Sequence, residues 1–596
     1  IECIENGALL PPDVIHNKVM DKVKNIVLSQ STAKGSESMK IEKQDKFTPV
    51  FEQLPFTEED RYLIEPFFTN LDSSVFGVTF LPPEVIGALC SRASRAKDDL
   101  RLAFLKEFVK PFINEGGEYS EALKGLIDFL HKYPAELIFS NPKARDFYIT
   151  WLAQFGDDSI AQMGGTHLIY TGISQLAIKQ IEDMRVGIAP IEKSTRYVDY
   201  SSKIGDSYRY YTDPTLEELG LMKEYKSAMD NLFDTYTLLL AEYVEFLKKK
   251  YPNEDEKLLR TKAFDTVRLI LPVSTLSQLA LFSNGQAFEY MVNRCLDHKL
   301  GEVRWTARRA VQELGRVIPA FLRRVDSEDA GNYRKYMSGK GERARQALKE
   351  SGFKEEKIPC NGPSVKLLEY DPDGENNIIA GLVYGETHEP FDSLLEKVSK
   401  MPIEAKEKIL DEALKGRKAK YYKIPRAFEN ANLSFEIMMN IGAWRDLHRH
   451  RMHTQMRQRF SIYNGFDVPE GLKEAGLDGK FVSAIQKAEE VFKKIAERDE
   501  DIAQYCCTLA HRVRFVQFQN MRSFFWEAEL RTIPQGHPDY RKIEQEKIRL
   551  VDKVYPLIAK HLLVDMEQYE FARREDAAQI RRKEAELKEY FAGKNE

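Results

Sequence analysis

The stretch Trp444–Asn464 reads Trp-Arg-Asp-Leu-His-Arg-His-Arg-Met-His-Thr-Gln-Met-Arg-Gln-Arg-Phe-Ser-Ile-Tyr-Asn, and nowhere else do so many cations and imidazoles stand beside apolar sequence. The residues before it alternate between apolar and other side chains, as in a strand that faces a core. The apolar positions of that strand are Leu433, Phe435, Ile437 and Met439. Ala443, Trp444 and Leu447 then fit one helical face. The sequence therefore predicts a strand and a short helix that ends in the basic cluster.

The basic cluster is the best candidate for a binding site. Arg449 and Arg451 carry permanently charged forks on either side of His450, a titratable ring, and such a set suits a phosphate or an anionic ring system. Three other interpretations stay open. The cluster could be a solvated basic turn, or a nucleic-acid patch. Asp446, His450 and His453 also share a helical face and could bind a metal, although no Cys or second carboxylate stands near them.

Composition limits the function classes. The chain has 596 residues, enough for two to four domains, and 43% of them are hydrophobic. A net charge of -5 argues against a general binder of nucleic acids or acidic membranes. Six cysteines are scattered without a CxxC pair, which is typical of a reducing compartment. No apolar run approaches the roughly 18 residues of a membrane span. We therefore expect a cytoplasmic protein.

Changes in composition divide the chain into five parts. Residues 1–55 are expected to be a poorly ordered extension, 56–325 a mostly helical module, 326–363 a charged, Gly-punctuated linker, 364–564 a second module, and 565–596 a charged C-terminal helix. The helical character of the first module is clearest in two long amphipathic stretches, Leu219–Lys250 and Arg304–Leu322.

The second module opens with its own strand signal. It begins at Val365–Tyr370, turns at Asp371–Gly374 and is expected to resume as a strand at Ile378–Val383.

The two halves show weak internal similarity. In the first half, Thr171–Lys179 leads through Ile181–Arg185 to Glu192–Tyr197; in the second, an apolar lead-in reaches Arg449-His450-Arg451 and then Arg457–Ser461. A segment with an Asn follows in each half, and we expect it to be helical: Arg268 to Asn284, and Gln504 to Asn520. The chain thus resembles two copies of one module.

At these residues the module resembles the flavin-dependent thymidylate synthases (ThyX). The signature of that family is Arg-His-Arg, followed after seven residues by Ser and then Arg-Tyr. A later Asn-x-Arg-Ser segment ends in Leu-Arg, as Asn520–Ser523 and Leu530-Arg531 do here. The resemblance covers most of 365–560 and, more faintly, about 140–320. It implies an α+β fold of two tandem modules, each a mixed sheet packed with long helices.

Each half departs from the signature in its own way. The second half keeps Arg-His-Arg and the distal segment, but Arg459 stands where Ser is expected and Gln504 where the family has Arg. The first half has lost Arg-His-Arg but keeps Glu192, Ser194, Arg196 and Arg268. In the family these two sets come from different subunits of a homotetramer. The complementary losses therefore predict a site built between the two halves.

The resemblance implies roles for individual residues. The expected catalytic residues are Arg449, His450, Arg451 and Arg531. The expected substrate-binding residues are Glu192, Ser194, Arg196, Arg268, Asp446, Arg449 and Arg531. The expected FAD-binding residues are Glu429, Arg449, His450, Arg451, Asn520 and Arg522. No metal is expected.

The implied reaction is the reductive methylation of dUMP to dTMP, with methylenetetrahydrofolate as carbon donor, FAD as redox carrier and NADPH as reductant. A homodimer would replace the family tetramer as a pseudo-tetramer of modules, without nucleic-acid or membrane partners. Some residues depart from the family. Asp446 replaces a Gln beside the pyrimidine, and Trp526 and Tyr290 replace a small polar residue or His near the flavin. In the first half, either Arg294 or Cys295 stands at the position of the distal Arg. The alternative function is therefore a non-catalytic protein that binds FAD or a nucleotide, or a scaffold that kept the fold.

Overall fold

The computed structural model of the chain describes residues 45–134, 159–354, 362–571 and 582–589, with isolated short stretches at 4–5, 8–9, 143, 146–147, 150, 356 and 358. The chain divides into two compact units, Ile1–Thr48 and Pro49–Glu596. In the first unit, the two-residue strands Ile4–Glu5 and Ala8–Leu9 pair antiparallel. Most of the expected extension 1–55 lies outside the described residues. Both modules belong to the second unit.

Each module contains a four-stranded sheet. In module 1 the strands are β1 (Val75–Val78), β2 (Gly165–Ser174), β3 (Ile188–Glu192) and β4 (Leu276–Asn284), and in module 2 they are β5 (Ser364–Tyr370), β6 (Asn432–Asn440), β7 (Thr454–Arg457) and β8 (Arg512–Asn520). The order is β1-β2-β4-β3 in module 1 and β5-β6-β8-β7 in module 2. The identical order is what a duplication predicts.

The α+β class and the two-module architecture are confirmed. One detail differs, because mixed sheets were expected and every described pair in these two sheets is antiparallel.

Long helices pack around the two sheets. Those used below are α1 (Gln175–Glu182), α2 (Met222–Lys250), α3 (Glu256–Val267), α4 (Gly285–Leu296), α5 (Gly301–Val317), α6 (Glu328–Glu350), α7 (Gly374–Tyr384), α8 (Ile441–Leu447), α9 (Asp478–Ala496), α10 (Met521–Arg531) and α11 (Pro538–Val554). Other helices cover Glu58–Ile64, Pro83–Ala93, Leu100–Ala103, Lys110–Glu115, Gly117–Lys132, Ser159–Met163, Thr215–Glu218, Phe391–Ser399, Ile403–Ala413, Glu470–Glu474, Glu500–Ala503 and Pro556–Ala559. In the described parts of the chain, no helix is both long and apolar enough to cross a membrane.

The strand and helix predicted beside the basic cluster are both present. β6 carries the alternating apolar residues, and Asn440 ends it. The Asn440 side chain then caps α8 by accepting a hydrogen bond from the Ala443 N–H at 2.8 Å. Ser174 caps α1 at the end of β2 in the same way. The turn from strand to helix is therefore built alike in both modules.

Two predictions of secondary structure were wrong. Ile378–Val383 was expected to be a strand and lies within helix α7. The segments ending in Asn284 and Asn520 were expected to be helical, but most of each is the strand β4 or β8. Short apolar runs do not distinguish a buried strand from a buried helix, because their periodicity is too brief to measure. The two Asn residues instead cap the helices that follow, α4 and α10.

The flanking segments also have structure. Within the expected linker 326–363, α6 is a helix of 23 residues. In the tail, residues 582–589 are helical, whereas the stretch from Asp565 to Phe571 is not. Phe571 is buried, so this part of the tail packs on the protein.

A pseudo-twofold axis relates the two modules. The Leu509 N–H donates to the Leu271 carbonyl at 2.9 Å, and the Val273 N–H donates to the Cys507 carbonyl at 2.8 Å. Counting back from the caps Asn284 and Asn520, Leu271 is equivalent to Cys507 and Val273 to Leu509. The two hydrogen bonds are therefore symmetry mates, as in an isologous dimer interface. Helices α2 and α9 extend the same interface.

Candidate functional site

The signature loop of module 2, residues 448–453, leaves the end of α8 and lies against module 1. Trp444 on α8 is fully buried, and its ring packs against those of His448 and Phe460. His448, His450 and His453 are also buried. The interpretation of this stretch as a solvated basic turn is therefore wrong. Arg449 differs from these histidines, because its side chain is 51% exposed, and the partly exposed surface around Arg449 and Asp446 is called the cleft below.

The charges of four arginines act on one carboxylate in this cleft. Arg449 Nε lies 3.9 Å from Asp446 Oδ1. Burial alone would raise the pKa of Asp446, but nearby positive charges outweigh it and hold that pKa well below its usual range. The charges belong to Arg449, Arg531, Arg196 and Arg268. Two of these arginines come from each module, so the structure brings together residues that the sequence assigned to the two halves.

Arg196 is held in place by module 1. Its guanidinium forms a two-pronged ion pair with Asp265, with both N···O distances 2.6 Å. Burial would lower the pKa of Arg196, but the charge of Asp265 raises it above its usual range. Ser194 shapes the same loop, because its hydroxyl accepts a hydrogen bond from the Arg196 N–H at 3.1 Å. This geometry fixes a cation beside Asp446 before any ligand arrives.

Arg268 spans the boundary between the modules. It donates to the Thr195 hydroxyl at 3.1 Å and to the Gly442 carbonyl of module 2 at 3.3 Å. Burial, together with the charge of Arg196, lowers the pKa of Arg268 to about 10, so it remains charged near pH 7. Its Nε is buried and has no hydrogen-bond partner among the described residues. A free buried donor of this kind fits an anionic or carbonyl ligand.

Arg531 reaches the signature loop from α10. Its Nε donates to His450 Nε2 at 2.7 Å. Burial lowers the pKa of His450 well below its usual value, so the ring is neutral near pH 7 and can accept this bond. The imidazole therefore orients Arg531 and does not add a positive charge to the cleft.

The structure groups three possible metal ligands, His450, His453 and Glu527, rather than the set with Asp446. Their ligand atoms lie within 4.8 Å of one another. Cations already use two of them, however, because Lys547 pairs with Glu527 and Arg531 donates to His450. Because these two cations already neutralise and satisfy part of the group, we assign no metal here.

Two of the residues expected to bind flavin, Asn520 and Arg522, lie at the start of α10. Arg522 forms an ion pair with Glu429 at 2.9 Å, and the Asn520 side chain caps α10. β7 follows the signature loop and places Thr454 opposite Phe518 in β8, so the loop passes close to this helix start. Arg451, in that loop, has a buried Nη1 without a hydrogen-bond partner in the described part of the chain.

The residues that depart from the family divide by exposure. Trp526 is partly exposed on α10, and Lys423 Nζ lies 3.3 Å from its ring centroid. Tyr290 is also exposed, whereas Cys295 is buried.

Glu192 lies in a buried ion cluster. Lys179 of its own module and Arg445 of module 2 both contact its carboxylate, the latter at 2.9 Å. Burial would raise the pKa of Glu192, but the charges of Lys179 and Arg445 hold it well below its usual range. Its side chain thus joins the modules, and substrate contact by Glu192 stays a prediction.

The symmetry-related counterpart of the cleft is closed. Counting from the caps Ser174 and Asn440, Asp183 occupies the position of Arg449. Asp183 accepts hydrogen bonds from Arg457 at 2.6 Å and from His448 at 3.1 Å, both in module 2. Ion pairs between the modules therefore occupy the region around Asp183, where a second composite site would form.

Residues missed by the sequence analysis include Lys179, Asp183, Arg185, Asp265 and Arg445. Of these, Arg185 and Asp183 could have been found by aligning the halves on their helix caps. Asp265 and Arg445 carried no sequence signal, because their partners are distant in the chain.

The fold and the cleft define a class: a duplicated α+β protein in which arginines of both copies act on one carboxylate. The sequence model of the thymidylate synthase complementing protein family (Thy1) matches residues 130–320 and again residues 366–557. The chain therefore belongs to this family and carries its module twice. The resemblance to ThyX and the tandem duplication are confirmed. At family level the protein is ThyX-like and methyltransferase-like.

Similar chains occur in bacteria and archaea. A UPF0159 protein of Chlamydia muridarum is 34% identical over 528 residues, which cover 87% of this chain and 97% of the relative. UPF0159 protein Ta1429 of Thermoplasma acidophilum is 28% identical over 512 residues, covering 79% and 93%. Among solved structures, the UMP/dUMP methylase PolB from Streptomyces cacaoi bound with 5-Br dUMP matches with a TM-score of 0.28 and 14% identity, covering 34% of this chain and 96% of that chain.

Proposed function

We propose that this protein is a cytoplasmic, flavin-dependent thymidylate synthase that converts dUMP to dTMP at a site shared between its two modules. The observation that carries the proposal is that Arg449 lies 3.9 Å from Asp446 while Arg268 of module 1 reaches Gly442 on the same helix, so that charges of four arginines, two from each module, act on Asp446. Such a cluster is the environment that a nucleotide phosphate and a developing negative charge on a pyrimidine require. Family membership supplies the reaction class.

Nucleotide binding would use donors from both modules. Arg196 and Arg268 would hold phosphate and base from module 1, and Arg449 and Arg531 from module 2. Each charged hydrogen bond would contribute roughly 1.5–3 kcal/mol. Two of these arginines are already oriented before a ligand binds, because Asp265 holds Arg196 and His450 holds Arg531. Binding would therefore order few side chains, which favours affinity.

The residues present fit FAD at the start of α10. The unpartnered Nη1 of Arg451 suits an anionic part of the cofactor, and Glu429 with Arg522 forms a polar wall beside it. When bound, FAD would carry a hydride from NADPH to the transferred carbon. The methylene of methylenetetrahydrofolate would bond to C5 of the uracil and leave tetrahydrofolate, and C5 would lose its proton. The arginines would orient the base and stabilise its negative charge.

Purified protein tests this proposal. We expect a yellow protein with a flavin spectrum that bleaches with NADPH and recovers in air. With dUMP labelled by tritium at C5, the complete mixture should release tritium to water and form dTMP, and omission of methylenetetrahydrofolate should stop dTMP formation. A protein that stays colourless with added FAD and is inactive would contradict the proposal.

Asp446 favours a second candidate, a nucleotide-binding or scaffold protein without catalysis. Its carboxylate already neutralises part of the arginine cluster and would repel a phosphate. Tight binding of dUMP without turnover would support this candidate, whereas dTMP formation would exclude it.

We also propose a homodimer. Three exposed apolar positions recur in both modules at equivalent places: Phe282 and Phe518, Tyr290 and Trp526, Ile191 and Met456. The register supports the equivalence, since Ile191 lies opposite Ala280 in β4 and Met456 opposite Val516 in β8. Repeated apolar patches related by a twofold axis suit a second copy of the chain.

Light scattering at micromolar concentration should give twice the chain mass. Phe518→Glu should produce monomers, because it buries a charge in the proposed interface. Leu238→Glu, at an exposed apolar position on α2, is the control and should leave the dimer intact. A monomeric wild-type protein would contradict the dimer.

A further inference from the structure

Arg185 of module 1 forms several hydrogen bonds with the signature loop of module 2. Its guanidinium donates to the carbonyl oxygens of His448 at 3.1 Å and of His453 at 3.2 Å, and also to that of His450. A further bond reaches the Gln455 side chain at 3.3 Å. Arg185 is only 8% exposed, and all these acceptors lie in the other module. One planar guanidinium thus supplies the hydrogen-bond donors for three backbone carbonyls of the loop that carries Arg449, His450 and Arg451.

The backbone of Arg185 is itself strained. Its φ is +63°, one of two positive values at non-glycine residues among those described. A residue with a side chain is destabilised in this left-handed region, because its Cβ crowds the following carbonyl oxygen. Such strain persists only where the surroundings compensate for it, and it concentrates at functional sites. Here the hydrogen bonds to the signature loop provide the compensation.

The position of Arg185 in the duplicated chain explains why its side chain can bind the signature loop of module 2. Counting from the caps Ser174 and Asn440, Arg185 is the counterpart of Arg451, the last residue of Arg-His-Arg in module 2. In module 1, the ion pairs of Asp183 occupy the space around the corresponding loop. The guanidinium of Arg185 is instead used by acceptors of the signature loop of module 2.

We propose that Arg185 is a positioning residue for the nucleotide site: the degenerate signature of module 1 holds the intact signature of module 2 in its binding conformation. This inference rests on the proposed function for the identity of the ligand, but not for the effect on the loop. Arg185 is buried and would not contact the ligand itself. It acts by fixing the carbonyls of residues 448–453, so that Arg449 projects into the cleft and His450 meets Arg531.

Arg185→Gly tests the proposal, because glycine accepts a positive φ and only the side chain is lost. The amides of residues 447–457 should exchange hydrogen faster in the free protein. The Kd for dUMP should rise roughly tenfold or more, since small misplacements of a site are costly. Millimolar methylguanidinium should restore both properties. Arg185→Lys, which keeps the charge but not the fork, should lie between Arg185→Gly and the wild type and serves if the glycine variant does not fold.

Arg101→Ala is the matched control. Arg101 is also buried, and it donates to the carbonyls of Asn70 and Ser73 within module 1. It should lower the melting temperature without changing the Kd for dUMP in the folded protein. Unchanged loop exchange in both Arg185 variants would overturn the inference. If wild-type protein does not bind dUMP, the proposed function fails, and the exchange measurement still decides the role of Arg185.

Discussion

Arg196→Ala and Arg449→Ala are each expected to abolish turnover and to weaken dUMP binding by at least tenfold. The two arginines come from different modules and act on the same cleft around Asp446. A lost charged hydrogen bond costs roughly 1.5–3 kcal/mol, which corresponds to about 10- to 150-fold in affinity. Titration calorimetry with dUMP measures the binding, and the tritium-release assay measures the turnover.

The two variants should differ in stability. Arg449 is half exposed, so its loss should leave the melting temperature nearly unchanged. Arg196 is mostly buried in an ion pair with Asp265, so its loss removes this ion pair and should lower the melting temperature. Arg459→Ala is the control, because Arg459 pairs with Glu500 and Asp501 outside the cleft. Full activity of Arg449→Ala would remove the site assignment.

Glu192→Gln should cause the largest loss of stability. The substitution leaves Arg445 buried in module 2 without its anionic partner, while Lys179 keeps Glu182. Breaking a buried ion pair on one side costs about 3–5 kcal/mol. We expect a clear fall in the urea midpoint. Glu500→Gln, which affects an exposed ion pair, should change it little.

The pH dependence of this effect has a defined sign. The pKa of Glu192 in the folded protein is held below its usual value of 4.5 by Lys179 and Arg445, although burial opposes this. Its contribution to stability is therefore complete above pH 4.5 and is lost as the pH falls below that value. The difference between wild type and Glu192→Gln should shrink in acid. A difference that stays constant from pH 7 to pH 3 would contradict the ion cluster.

The sequence was informative where local pattern and function coincide. The alternation before Asn440 predicted β6, and the signature residues predicted two related modules. It failed where the pattern was short, as at α7, because a run of six apolar residues fits a strand as well as a helix.

The sequence also could not show which cations are used within the protein. Arg185, Arg445 and Arg457 look like candidates for ligand binding, yet each is paired across the module boundary. Only the fold separates them from Arg449, whose side chain remains half exposed. Residue type alone thus does not tell which arginines hold the modules together.

The duplication gives these pairings a common explanation. A symmetric pair of modules would form two equivalent clefts. Here one cleft keeps a complete set of arginines, and the other is closed by Asp183 with Arg457 and His448. The residues released from binding now hold the modules together or position the signature loop.

A double-mutant cycle on Arg196 and Arg449, read out as the Kd for dUMP, tests the shared site most directly. If the two guanidinium groups form one receptor, the double alanine variant should bind scarcely more weakly than either single variant, because residues that act as a unit are not additive. Free-energy losses that simply add would mean that the two modules bind independently, and would contradict a site built between them.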